Sequence, residues 1–200
     1  LPSGAYAHVV REDPKRKGLL FAGTEQAVFV SIDDGDNWQP FGLNLPVTSM
    51  RDIQIYQNDL ILATHGRGFW LIDDITPLRQ LSASVASSDV YLFRPADTVD
   101  MIPTDDNGTP LQKDEPHAEN PPSGVAIDFY LKNAGNPVTI EILDSAGKVI
   151  RTFSTDPALA SARRTRGGRA GPGLPTVSPL WQTTPEAFSG AAGMHRVVWE

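Results

Sequence analysis

Among the 24 acidic, 17 basic and four histidine side chains of this 200-residue chain, few stand in a pattern that could do chemistry. Among the carboxylates, Glu25 and Asp52 are the pair to weigh for acid–base work. Glycoside hydrolysis normally needs two carboxyl groups about 5 to 9.5 Å apart across the scissile bond. Sequence does not supply that separation, and ordinary strand-end and turn carboxylates are the plainer reading of both. His65 and Arg67 flank Gly66 and are of types that hold a carboxylate or a sugar hydroxyl, since a guanidinium presents a fixed fork of donors. The plainer reading here is that His65 bonds nearby backbone while Gly66 and Gly68 shape a tight tip. There is no Gly-x-Ser-x-Gly elbow, Walker loop, His-Glu-x-x-His helix or Rossmann fingerprint. The four histidines, His8, His65, His117 and His195, are too scattered for a recognisable metal set, and the absence of cysteine removes thiol nucleophiles, thiolate metal sites and disulfides. No metal and no cofactor is implied.

The elements that must position these residues are short strands. Glycine and proline number 17 each, an excess that favours turns over long helices. A formal charge of −7 argues against a general nucleic-acid footprint. No apolar run approaches the ~18 residues of a membrane helix, so no membrane span is expected. The chain opens on Leu1 and stops within the apolar run ending Val198-Trp199-Glu200, which reads as a piece of a longer protein.

An internal repeat organises the front. Residues 19–34 align with 59–74 at an offset of 40, matching Leu20/Leu60, Thr24/Thr64, Phe29/Phe69, Ile32/Ile72, Asp33/Asp73 and Asp34/Asp74. An offset of 41 aligns the hairpin tips better, so the register is open by one residue. Either value lies in the ~40 to 45 residue period of a four-stranded propeller blade. Each unit supplies two apolar runs around a polar tip, with a further strand before them at 7–10 and 52–56. A fourth strand, 38–41, follows the first unit. Pro77 interrupts the second, because proline cannot donate to a central ladder.

Ser31-Ile32-Asp33-Asp34-Gly35-Asp36-Asn37-Trp38 has the composition of a purposeful turn: Gly35 permits positive φ, Asp33 and Ser31 accept turn N–H groups, and Trp38 covers the hairpin. It resembles the Asp-box of BNR repeats, with Asn37 where threonine is usual. Together with the second unit from Thr64 to Asp74, it is similar to the terminal blades of bacterial sortilin-like or glycosyl-hydrolase-like BNR propellers. The resemblance covers residues 1 to about 80. It implies a ligand face formed by the strand-two to strand-three hairpins and the links between blades, carrying Glu25, Gln26, His65, Arg67, Asn44 and Arg51. The structural Asp-box residues Ser31, Asp33, Gly35 and Trp38 would lie on the opposite face.

From Leu78 to about Gly124 the chain reads as a Pro- and Asp-rich connector with one apolar strand at 90–93. Its acidic stretch from Asp97 to Glu119 lacks the Asp-x-Asp-x-Asp-Gly spacing of a calcium loop, so a solvated linker is expected. Period-two alternation then returns in Val125–Leu131 and Val138–Ile142, with a turn at 144–148 leading into 149–153. This block resembles the Ig-like domain, similar to that of flagellar hook-capping proteins, that follows such propellers, with its last strand at 192–200. A long insertion at about 154–191 carries Arg163-Arg164-Thr165-Arg166-Gly167-Gly168-Arg169, read as a mobile solvated loop that docks only through Leu180-Trp181.

The expectation is an all-β chain: the last blades of a β-propeller (1–78), an extended linker (79–124) and an incomplete Ig-like β-sandwich (125–200). The resemblance implies a structural and ligand-binding module of a secreted or cell-envelope bacterial protein. Its partners would be a glycan or peptide on the propeller face and the remaining blades of a parent chain. The rival readings are a glycoside hydrolase with its catalytic carboxylates in other blades, and a receptor scaffold for peptides or proteins.

Overall fold

The computed structural model describes residues 1, 4–99, 124–156 and 188–199. The acidic stretch beyond Val99, the arginine cluster at 163–169 and Leu180-Trp181 lie outside them. Among the described residues the chain is all-β in character, with several antiparallel sheets and two short helices, and it divides into two compact units, Leu1–Ser87 and Ser88–Glu200. Among the described residues no helix is long and apolar enough to cross a membrane.

In the first unit, β1 (Ala7–Glu12), β2 (Leu20–Thr24), β3 (Val28–Ser31) and β4 (Gln39–Pro40) form one antiparallel meander. A second meander follows in β5 (Met50–Tyr56), β6 (Asp59–Thr64) and β7 (Phe69–Ile72). The registers resolve the open offset. Leu20 pairs Ser31 where Leu60 pairs Ile72, so β2 maps to β6 at 40 and β3 maps to β7 at 41. The second hairpin tip is simply one residue longer. The repeated threonines play the same part in both hairpins. Thr24 Oγ1 donates to the Ala27 carbonyl at 3.0 Å, and Thr64 Oγ1 donates to the Gly68 carbonyl at 2.6 Å. At the offset of 41 the matches Phe29/Phe69, Ile32/Ile72, Asp33/Asp73 and Asp34/Asp74 do not correspond in register; Asp34 and Asp74 share only a positive φ (61° and 54°), a conformation aspartate tolerates better than most residues. There the chain leaves each sheet, first into the turn before β4 and then into a helix.

Facing sides of the two sheets make the core. Val9, Phe21, Val28 and Val30 meet Met50, Ile53, Leu60 and Leu62, with Leu19 and Ile75 closing one end. Complete burial of each such side chain contributes roughly 1.5–3 kcal/mol. The close approach depends on Gly23, whose absent Cβ would sit 2.8 Å from Met50 Cβ and 2.9 Å from Val9 Cγ1.

After β7 the chain forms α1 (Thr76–Gln80), with Pro77 in its first turn where a missing N–H costs nothing, and then α2 (Ala83–Ser87). Arg79 at the last turn of α1 reaches back to the β1–β2 turn. Its Nη2 lies 2.9 Å from Asp13 Oδ2, with the Asp13 side chain fully buried and that of Arg79 at 11% exposure. Asp13 Oδ1 also accepts the backbone N–H groups of Lys15 and Arg16. Arg79 donates further to Asn58 Oδ1 and to the Gln57 carbonyl, and Arg16 donates to the Leu78 carbonyl.

The second unit pairs β8 (Val90–Leu92), β9 (Val125–Leu131) and β12 (Gly193–Trp199) in the order β12-β9-β8, beside a hairpin of β10 (Thr139–Leu143) and β11 (Val149–Ser154). The 79–124 segment therefore differs from an extended linker over its first part. It begins in helix, and β8 is a working member of a sheet, pairing residues 90–92 with 129–131. Along β9, Ile127, Phe129 and Leu131 are buried as their alternation predicts. Asp128 is buried too, because its cross-strand partner Arg196 holds both carboxylate oxygens, at 2.9 and 3.0 Å. Phe188 packs against Phe129 of β9 (5.5 Å between ring centroids) and Phe153 of β11 (6.2 Å), joining the two sheets.

Two stability outcomes follow from these contacts. Arg79→Ala strands the buried Asp13 carboxylate and is expected to cost about 3–5 kcal/mol in urea unfolding of the first unit; a loss under about 1 kcal/mol would show that water reaches Asp13. Gly23→Ala forces methyl carbon into backbone-proximal atoms and is expected to cost about 1–3 kcal/mol by the same assay, whereas Gly66→Ala, with open space around the added methyl, has only its backbone conformation to oppose it.

Candidate functional site

The first unit has two unlike ends. At one, the hairpin tips 24–28 and 64–69 meet the 48–51 segment that leads into β5. Three bonds tie them together: Thr48 N–H donates to the Gln26 carbonyl (3.3 Å), Thr48 Oγ1 donates to the His65 carbonyl (3.1 Å), and His65 N–H donates to the Ser49 carbonyl (2.9 Å). Gln26 and His65 are thus brought together through their backbones, as parts of one rim. Arg67 belongs to the same tip, where its carbonyl accepts Trp70 Nε1–H, while its side chain is exposed. Asn44 is exposed in the Gly42–Leu45 turn.

Both first strands are irregular where they reach this rim. In β1 the register passes from Ala7–Thr24 to Val9–Gly23, and in β5 from Met50–Thr64 to Asp52–Ala63. His8 and Arg51 are the extra residues, one in each sheet. A bulge re-aims the side chain it carries and strengthens the local twist. His8 Nε2 comes to 2.5 Å from Glu25 Oε1 at the neighbouring tip.

Glu25 is held below its ordinary carboxylate pKa, chiefly by the bond with His8; the charges of His8 and Arg51 act in the same direction, against partial desolvation. The Ser49 hydroxyl is buried, and among the described residues no partner meets it at hydrogen-bonding distance. Asp52 is also lowered, by Gln54 Nε2 first and the Ile53 N–H next, with Arg11 Nη2 contributing at 2.8 Å. The two carboxylates thus have separate sets of partners, and both are biased toward ionisation. A glycosidase pair needs one carboxyl held protonated as the acid, a part that neither environment favours.

The Ser31–Trp38 turn stands at the other end of β3. Asp33 Oδ1 accepts the Asn37 N–H (2.9 Å) and Oδ2 accepts Asn37 Nδ2 (2.7 Å), while Ser31 Oγ donates to Oδ1 (2.8 Å) and accepts the Gly35 N–H (2.9 Å). Asn37 thus supplies a side-chain donor as well as its backbone. Gly35 has φ 94°, and an added Cβ there would come within 3.8 Å of the Trp38 ring. These polar groups are spent within the turn, which suits a structural clasp.

Sequence reading gives no rim role to His8, weighed only for a metal set, nor to Tyr6, Ser49 and Phe69. His8 sits in a strand with no compositional mark of the bulge that exposes it. Tyr6 and Phe69 flank the rim at 75% and 76% exposure. Phe69 was legible only as a strand residue, because its burial depends on what its sheet face meets.

Acid titration provides a check on the carboxylate environments. A carboxylate lowered in the folded state contributes stability that is complete above its unfolded pKa and is lost as pH falls through the lowered folded value. Asp33 is lowered from 3.8 by Asn37 first and Ser31 next, and Glu25 is lowered from 4.5. The thermal midpoint of the first unit should therefore fall as pH drops below about 4, and Asp33→Asn or Glu25→Gln should each flatten part of that slope. Slopes identical to wild type in both variants would show that these bonds do not persist in solution.

Comparison with protein-family models, with curated proteins and with solved structures finds no match for this chain.

Proposed function

We propose that the chain is a structural and ligand-binding module, the C-terminal part of a secreted or envelope BNR-repeat, sortilin-like β-propeller protein, in which the first unit is the last blades and the second is an Ig-like β-sandwich. The supporting observation is the repeated antiparallel meander, whose hairpin tips and inter-sheet segment are bonded into one rim while the Ser31–Trp38 clasp occupies the far end. Such a division separates a surface free to vary from a surface that holds the fold. The rim is the ligand surface in this reading, through Glu25, Gln26, His65 and Arg67 with the inter-sheet residue Arg51. The module binds without catalysing, since neither Glu25 nor Asp52 is set up as a proton donor. The second unit serves as a carrier, with its sheets joined through Phe188.

Amide chemical-shift mapping with a panel of neutral and charged oligosaccharides and short peptides tests this. Ligand-induced shifts are expected at 25–26, 48–51 and 65–68, and Asp33→Asn should leave them in place while lowering thermal stability. Shifts confined to 31–38, or to the second unit, would overturn the assignment of the rim.

A further inference from the structure

A sheet edge presents a row of unpaired N–H and C=O groups, and soluble proteins blunt such edges with bulges, proline or very short strands. The first unit has four edge strands, β1 and β4 in one sheet and β5 and β7 in the other. Bulges interrupt β1 at His8 and β5 at Arg51, and these two strands also lie against each other. β4 is two residues long and ends in Pro40. Among the described residues of this unit, β7 alone has no such device: its register with β6 is unbroken, and no strand pairs with its other side. The repeat shows what that side could hold. In the first sheet the Val28 carbonyl accepts the Phe41 N–H from the chain leaving β4, and Val28 and Val30 are buried. Phe69 and Leu71 occupy the corresponding positions of β7 at the offset of 41, and they are 76% and 59% exposed. Because the Gly68 carbonyl accepts the Thr64 N–H, alternation turns the backbone groups of Trp70 and Ile72 toward β6 and those of Phe69 and Leu71 outward.

The flanks of β7 select the occupant. His65 and Arg67 precede the strand, and Asp73 and Asp74 follow it. An antiparallel partner of the same sequence sets each basic end against an acidic end, whereas a parallel one sets like charges together. We propose that β7 is a self-association edge, on which a second copy of this chain docks its own β7 antiparallel, so that two three-stranded sheets become one. A two-fold axis normal to the sheet makes the contact isologous and keeps matching faces together. Phe69 then stands opposite Leu71 of the second copy, Trp70 opposite Trp70, and Arg67 beside Asp73. Either neighbouring register that obeys the same symmetry opposes Arg67 to Leu71 or to Ile75, so the apolar pair and the charge pair choose one register. Among the described residues the Arg67 guanidinium makes no ion pair. The pairing closes on itself and gives a finite dimer, not a fibre. A four-residue strand buries less than a standard interface, so the dimer is weak. In the blade arrangement proposed above β5 is the inner strand and β7 the outer, so the pairing joins modules at their margins and does not rest on the ligand reading of the rim.

The test is sedimentation velocity of the full 200-residue chain from micromolar to millimolar concentration, with amide hydrogen exchange at both extremes. A reversible monomer–dimer equilibrium is expected. Exchange at Phe69 and Leu71 should slow in the dimer, while exchange at Trp70, already turned toward β6, stays the same. Leu71→Lys places a charge on the exposed face of the edge and should abolish the dimer, with the thermal midpoint of the dilute protein as in wild type. Arg67→Asp and Asp73→Arg should each weaken self-association several-fold. Mixed together, these two variants should form a heterodimer, because opposite charges then meet at both ends; a merely structural effect of either substitution would not produce this. If Asp73→Arg lowers the thermal midpoint, Leu71→Lys and the exchange pattern decide alone. A monomer at every concentration overturns the proposal, as does a dimer that Leu71→Lys leaves intact or whose protected amides lie in the second unit. A monomeric chain in which only an added apolar peptide slows Phe69 and Leu71 would assign the edge to a foreign strand and overturn the second copy as its occupant.

Discussion

A fully buried carboxylate holds one end of the first unit. Asp13 is removed from water and would be costly there without compensation. Its oxygens instead organise the β1–β2 turn through two backbone N–H groups and receive Arg79 from α1, which follows the unit's second sheet. Arg79 then reaches Asn58 and Gln57 in the β5–β6 turn. One ion pair thereby ties the lower turns of both sheets to α1. The opposite rim is held separately, by the Thr48 and His65 bonds, and carries exposed cations and aromatics above them.

Much of this architecture was legible in residue order. Apolar runs around Thr24 and Thr64 identified the repeated meander because strand alternation is a local property, whereas the aspartate matches at an offset of 40 fall one residue out of the register of β3 and β7. Asp33, Gly35 and Trp38 likewise marked a turn whose bonds close within a few residues. The Asp13–Arg79 pair spans 66 positions, so neither residue differs locally from a surface charge. Helices of five residues, such as 76–80 and 83–87, are too short to show a 3.6-residue period. The 90–92 strand was visible, but its partner lies more than thirty residues later in β9, and that pairing is what converts it from connector to sheet.

At the candidate site, the tips could be read and the bulges could not. Glu25, Gln26, His65 and Arg67 fall in hairpin tips bracketed by apolar runs, and the propeller resemblance put them, with Arg51, on one face; the bulges themselves left no trace. His8 and Arg51 depend on a slip of one residue between neighbouring strands, which changes the direction of a side chain without changing composition. Asp128 shows the same limitation in the second unit: on the face of β9 opposite Ile127 and Phe129, it is buried because Arg196 arrives opposite it from the last strand.

The threonine at the base of each hairpin has an evolutionary consequence. Because Thr24 and Thr64 close their loops with their own hydroxyls, the tips beyond them can differ in length and charge, as Glu25-Gln26 and His65-Gly66-Arg67 do, while the strands below keep equivalent pairing. Each tip is in effect an exchangeable cassette on a common mount. Diversification at the rim can proceed by insertion and substitution without selecting for compensating changes in the core, so recognition can drift faster than the scaffold that displays it.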